Sequence, residues 1–383
     1  MNWIPVKWIS TIALLVSPAL AAQIAPQSNP QAPSLRTQTN VVLVPALVRN
    51  AKGELVFTLG AEDFRVTDDG VEQKLTLDED TGGEPLALVV AVETGGGGRG
   101  KLAAYHHLGA VIDAVVGGVP HRVAVVGFDS TPQLAQDFNG DAMAAGETLD
   151  NLDPGDKGAA ILDALKFSVD QLSTQPANYR RAILLISETL DQGSQTKMDD
   201  ALRAIGDTNT AIYSLGFSSG KADAAHYAYR NLPVSKTDKG FAIGSNAYPN
   251  PPHGCMGKDP DPDATTNKAV QAFDCLTQLV PPLGLAKMAA IRAAAGLQRN
   301  VPETVAELTG GEYFKFENNR SLVSGMVAIS NHVPNRYVLS FQPQTPHAGY
   351  HAVELKLQGH PGLHVTARSG YWADGNGPDI VQP

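Results

Sequence analysis

Basic side chains are scarce in this chain. Its 383 residues carry 29 Lys and Arg against 39 Asp and Glu, and the net charge is −10. Binding to a phosphate backbone needs clustered cations, so nucleic acid is excluded as a partner class. Such an acidic balance suits a soluble protein or one with a cationic partner. Long apolar runs are also missing beyond the N-terminus, so no later segment is expected to cross a membrane. The ten histidines show no His-Glu-x-x-His or comparable spacing for zinc. The run Asp259-Pro260-Asp261-Pro262-Asp263 lacks the Gly and Glu of a calcium loop; Ala264 and Val270 stand in those places. It reads as a solvated loop.

Cysteine is nearly absent. Only Cys255 and Cys275 occur. In an exported chain an even pair reads as a disulfide, worth about 3 kcal/mol for a loop of roughly 20 residues. Two free thiols are the other reading, because spacing alone does not bring the two Cα atoms together.

Export itself is read from the first residues. Lys7 precedes an apolar run from Trp8 to Leu20, and Ala19-Leu20-Ala21 supplies small residues for a signal peptidase. Residues 1–22 are therefore expected to be a signal peptide, and 23–38, rich in Gln, Pro, Ser and Asn, a linker. The mature chain is expected to be secreted or periplasmic, with no integral membrane segment after cleavage; an uncleaved anchor is the alternative. The sequence does not set its oligomeric state.

Hydrophobic residues make up 43% and charged residues 18%, an ordinary globular balance for about two to three domains. Residues 39–84 read as short strands, with a tight hairpin at Asp68-Asp69-Gly70. From Leu86 the rhythm changes. Leu86–Val92, Val123–Phe128, Ala182–Ile186 and Ala211–Leu215 are continuous apolar runs, as expected of strands buried on both faces. Helical patterns over 101–117, 161–172 and 198–205 separate them. This alternation predicts an α/β fold with a doubly wound, mostly parallel sheet over 85–334. Residues 217–300 interrupt it with a Gly-, Pro- and Asn-rich insertion. Further β patterns fill 335–374, and 375–383 reads as a tail. Neither terminal set of strands can bury a core alone, so the two are expected to pair in one small β-sandwich. Tyr371-Trp372 then reads as sandwich packing, and His106-His107 as surface on the helix of 101–117.

The order of these segments carries a resemblance. Leu88-Val89-Val90-Ala91-Val92-Glu93-Thr94-Gly95, Gly158-Ala159-Ala160-Ile161 and Ile183-Leu184-Leu185-Ile186-Ser187-Glu188-Thr189 lead it, and Ala306-Glu307-Leu308-Thr309-Gly310-Gly311 closes it. Together they resemble a von Willebrand factor type A (VWA) domain, and more closely the VWFA-related family common in acidobacterial genomes. The resemblance covers nearly all of the mature chain outside 217–300. It implies a Rossmann-like sheet with a divalent cation at its carboxyl end, in a metal-ion-dependent adhesion site. The family pattern is an Asp-x-Ser-x-Ser loop, a Thr before a helix and an Asp after the fourth strand. Here the matching positions are Glu93, Gly95, Gly97, Ala159 and Glu188.

Those exchanges remove three oxygen ligands and lengthen two. Magnesium demands strict octahedral oxygen geometry, so no tight ion is expected; calcium, with its looser geometry, could bind weakly. Two glutamates in one crevice would repel and raise one pKa, or they simply face solvent. Lys157 is the candidate to replace the cation, with Arg99 and Lys101 also near. Gly95–Gly98 reads as a turn released from metal duty; an anion cradle of N–H groups is the other reading.

The expected function is therefore non-catalytic. An unknown protein partner would meet the crest loops through Thr94, Arg99, Asp156, Thr189 and Asp191, with no cofactor. Adhesion dependent on a divalent cation through Glu93 and Glu188 is the first alternative. The second is a serine hydrolase at Ser218, from Gly216-Phe217-Ser218-Ser219-Gly220 with Asp223 and His226 downstream.

Overall fold

The structure is a computed structural model that describes residues 41–78, 83–106, 108–219, 299–344 and 347–374. The expected signal peptide, linker and tail, both cysteines and nearly all of the insertion lie outside the described residues.

The apolar runs form the centre of a six-stranded sheet. Its strands are β5 (Leu86–Glu93), β6 (His121–Phe128), β7 (Pro132–Asn139), β8 (Arg180–Glu188), β9 (Ala211–Phe217) and β10 (Tyr313–Lys315). The order is β10-β9-β8-β5-β6-β7, parallel throughout except for β7, which runs antiparallel along one edge. Every residue of β5 is buried. Leu86, Leu88, Val90 and Val92 face helices α1 (Gly109–Val116), α2 (Ala142–Asp150) and α6 (Asn319–His332). Ala87, Val89 and Ala91 face α3 (Ile161–Ser173), α4 (Met198–Asp207) and α5 (Val301–Thr309). Burial on both faces is why this strand reads as an unbroken apolar run. The result is a doubly wound, VWA-like core.

The terminal strands pair as the pattern predicts. β1 (Val42–Asn50) lies between β11 (Tyr337–Phe341) and β13 (Leu363–Ala367), and β4 (Leu75–Asp78) flanks β11. β2 (Phe64–Asp68) lies between β3 (Val71–Gln73) and β12 (Ala348–Leu357), with β14 (Gly370–Asp374) beyond. Val44, Val48, Phe64, Val66, Leu339, Phe341 and Tyr371 fill the core of this sandwich. Asp69 and Gly70 both have positive φ, as the tight β2–β3 turn requires.

Two local expectations are corrected, and two elements are new. The helix of 101–117 starts only at Gly109, after two short 3-10 turns at Gly98–Gly100 and Leu102–Ala104. Gly98 and Gly100 set a tight turn ahead of this stretch, and a second 3-10 turn follows it before α1 begins. His106 is thus exposed on a turn, 3.6 Å from Asp150, rather than on a helix; His107 lies outside the described residues. β7 and α2 were not legible. β7 is a largely exposed edge strand with no apolar alternation. α2 is started by Asp141, whose side chain accepts the N–H groups of Met143 and Ala144. Among the described residues, no helix is long and apolar enough to cross a membrane.

Candidate functional site at the sheet crest

Parallel strands bring their carboxyl ends to one edge, where open α/β sheets place their ligands. Glu93 ends β5 and Glu188 ends β8. Neither faces solvent: Glu93 is 0% exposed and Glu188 1%. The solvent-facing alternative is therefore corrected, because both carboxylates are turned into the crest.

Each carboxylate is held from within. Glu93 Oε1 accepts the N–H of Gly98 at 2.9 Å, and Oε2 accepts the N–H of Glu188 at 2.6 Å. An N–H group of the glycine loop does meet an anion, but the anion is the chain's own side chain. Glu188 Oε2 accepts from Gln192 Nε2 at 3.2 Å, while Oε1 accepts from the N–H and the hydroxyl of Ser219. Ala159 is fully buried and pairs with Gln192 through two backbone bonds.

The glycines of this loop are needed for close packing. A Cβ on Gly95 would lie 2.2 Å from the Gly158 carbonyl oxygen and 2.6 Å from Asp129 Cβ. One on Gly98 would lie 2.2 Å from the Glu93 carbonyl oxygen. On Gly97 it would meet Phe217 at 3.1 Å and Glu188 Oε2 at 3.3 Å. The loop is packed against its neighbours, not a slack turn.

Burial pushes the Glu93 carboxyl up to about 7, and the nearby Glu188 charge adds to the shift. The N–H groups of Glu188, Gly98 and Gly97 act in the opposite direction. Tyr105 is fully buried, and its hydroxyl has no hydrogen-bond partner among the described residues. Burial, then the Glu93 charge, raises it far above the usual phenol range.

The Glu93 shift sets a pH dependence. The folded chain holds a proton up to about 7, the unfolded chain only to about 4.5. Between those values the folded state binds more protons, so rising pH removes stability, about 3 kcal/mol in all. Urea unfolding of the wild type and Glu93→Gln across that window measures it. The wild type should lose stability relative to the variant as pH rises; parallel curves would show that Glu93 does not titrate there.

The candidate contact residues divide by exposure. Arg99 and Asp156 are exposed, and the Asp156 carboxyl is held below its usual range by hydrogen bonds to Ser130 and Gly158, with Arg99 adding a smaller attraction. Thr94 is buried, its hydroxyl donating to the Phe128 carbonyl at 3.1 Å. Thr189 is buried too, and its carbonyl accepts the N–H of Val301. Asp191 is half-buried and takes the N–H of Leu162 at 3.1 Å, in the first turn of α3. Lys157 is exposed, and among the described residues no ion pair joins it to either glutamate. Lys101 donates to the Glu317 carbonyl at 3.0 Å and lies 5.6 Å from the Phe217 ring centre. Crest contacts of Asp129 and Gln192 were missed in the sequence, because neither residue stands in the family pattern.

The hydrolase alternative places Ser218 just after β9. Asp223 and His226 lie outside the described residues, and the adjacent Ser219 is committed to Glu188. Between described residues, no histidine is hydrogen-bonded to a serine or threonine.

No protein-family model and no curated protein matches the sequence. Similar solved structures include the conserved hypothetical protein BatB from Bacteroides thetaiotaomicron, with 13% identity, a TM-score of 0.33, and coverage of 64% of this chain and 99% of that one. An aerotolerance-related membrane protein from Bacteroides fragilis is similar at 15% identity and a TM-score of 0.34, over 64% of this chain and 98% of that one. Proximal thread matrix protein 1 from the mussel byssus, with a zinc-occupied MIDAS motif, is similar at 14% identity and a TM-score of 0.31, over 38% and 39% of the two chains.

Proposed function

We propose that the chain is an exported, non-catalytic VWA-type protein of the VWFA-related group, and that it binds a protein partner through its crest without a tightly held metal ion. Signal cleavage after residue 22 and a Cys255–Cys275 disulfide belong to the same reading. One observation carries it. The Glu93 carboxylate, which replaces the family's aspartate, is satisfied by the N–H groups of Gly98 and Glu188. Both oxygens of this carboxyl are thus taken up from within rather than turned to an incoming cation, and loops on a rigid sheet remain suited to recognition. The exposed crest side chains Arg99 and Asp156 are the proposed contacts, and the buried Thr94 and Thr189 and the half-buried Asp191 hold the loops that present them.

Calorimetric titration of the mature chain with Mg²⁺ and Ca²⁺, beside Glu93→Ala/Glu188→Ala, tests the metal-free reading. Millimolar ion should give no heat and no melting shift in either protein. Binding by the wild type but not by the variant would replace this reading with cation-dependent adhesion. A partner retained from the native compartment should be lost on Arg99→Glu/Asp156→Arg and unaffected by removal of Mg²⁺ and Ca²⁺.

A further inference from the structure

The β2–β3 turn and the start of β12 bring together side chains nearly 280 residues apart. Asp69 Oδ1 accepts the N–H of Ala352 at 2.8 Å. That bond aims Oδ2 at two imidazole rings. His347 Nε2 lies 2.9 Å from it and His351 Nδ1 3.2 Å. Asp68 Oδ1 is 3.0 Å from the same His351 nitrogen, and Asp68 Oδ2 accepts the Tyr371 hydroxyl at 3.0 Å. The facing atoms of Asp69, His347 and His351 all lie within 4.8 Å of one another. Ligands of tetrahedral zinc sit roughly 3.3 Å apart, given bonds near 2.0–2.1 Å.

The outer nitrogens of the two rings decide what the inner ones can do. His351 Nε2 is 2.9 Å from the His347 carbonyl oxygen, and His347 Nδ1 is 3.1 Å from the Ala348 carbonyl oxygen. A carbonyl only accepts, so each outer nitrogen keeps its proton. In a neutral ring the lone pair is then on the inner nitrogen, beside Asp69. Carbonyl-backed imidazoles of this kind are the usual support behind ligating histidines.

We propose that Asp69, His347 and His351 form a binding site for a divalent transition metal, zinc foremost, with Asp68 as an adjacent fourth oxygen donor. The residue types suit it, since imidazole with carboxylate selects zinc and its neighbours over magnesium or calcium. Charge suits it too: one dication balances the two carboxylates. The His351 side chain is 1% exposed and fixed, whereas that of His347 is 30% exposed and opens the site to solvent. The two rings stack 3.9 Å apart and nearly parallel, so a shared ion requires His347 to turn about its side-chain bonds. Zinc takes an imidazole only through a deprotonated nitrogen, so binding tightens as pH rises. A bound ion would clamp the β2–β3 turn to β12, joining N-terminal to C-terminal strands.

The test uses the full mature chain, stripped with chelator and titrated with ZnCl₂ by calorimetry and with CoCl₂ by visible and paramagnetic NMR spectroscopy at mildly alkaline pH. One zinc per chain should bind at micromolar or lower concentration and raise the melting temperature. His347→Ala, whose fold is checked by circular dichroism, should weaken binding by about tenfold or more. Cys255→Ser/Cys275→Ser should leave binding intact. Cobalt should shift imidazole resonances of the wild type, which decides the matter even if a variant fails to fold. No stoichiometric zinc, zinc lost in the cysteine variant but kept in His347→Ala, or a cobalt complex without shifted imidazoles would each overturn the site.

Discussion

Serine at position 95 will destabilise the chain by about 3 kcal/mol and will not restore magnesium binding. A serine there, as in the pattern that the sequence resembles, would offer an oxygen ligand, yet its Cβ has nowhere to go. That atom would lie 2.2 Å from the Gly158 carbonyl oxygen and 2.7 Å from Asp129 Cα. Both are backbone atoms, and neither can rotate away. Gly158 precedes the Ala159–Gln192 bridge, and Asp129 is tied to residues 155–160 through the N–H of Asp156 and its own carbonyl to Ala160. Relief would therefore have to move two loops together. Denaturant unfolding of Gly95→Ser, with a magnesium titration of the folded fraction, measures both parts. A variant as stable as the wild type, or one that binds magnesium, would show that the loop can open to make room for a ligand. The glycine is thus more than a lost ligand: the crest has closed around the space that a ligating side chain would use.

The second large effect is expected at Glu312. Glu312→Ala should cost about 3–5 kcal/mol, the range for stripping one partner from a buried ion pair. The carboxylate accepts from Arg49 on β1, from His332 at the end of α6 at 2.6 Å, and from Arg336 at 3.1 Å. Burial alone would raise its pKa, but the hydrogen bond to His332 and the charges of Arg336, His332 and Arg49 bring it below the usual range. The Arg336 side chain is 3% exposed and stacks on Tyr213. Without Glu312 its charge stays buried, with only the Gly310 carbonyl as a described hydrogen-bond acceptor. Glu312→Gln keeps the shape and loses the charge, so it should fall between the two. Chemical denaturation of the three proteins checks the order. A loss under about 1 kcal/mol for the alanine variant would place this network with surface ion pairs.

How much of this was legible follows from where each signal lies. The β5 run announces itself because both faces of that strand are covered. The two-ended sandwich follows from strand sets too small to stand alone. The crest was read only as an expectation, from Gly and Ala that carry no ligand oxygen; the structure adds that Glu93 and Glu188 are buried there. What binds Glu93 was not legible, since the Glu188 N–H that meets it is 95 residues away and backbone donors leave no mark on residue type. The β7 edge was hidden because an exposed edge strand has no apolar pattern to keep. The Asp69–His347–His351 cluster was hidden by distance along the chain. Its motif exists only once β2 and β12 pair.

That pairing also orders events in time. β1 finds its partner β11 almost three hundred residues later, and β2 waits nearly as long for β12. The α/β core lies between them and depends on nearer contacts, so it can form while the first strands are still single. Until the last strands arrive, β1 to β4 offer unpaired edges to any neighbour. A cut or stop codon soon after α6 would thus spare most of the central sheet, yet leave an aggregation-prone amino-terminal segment for which no later residue could compensate.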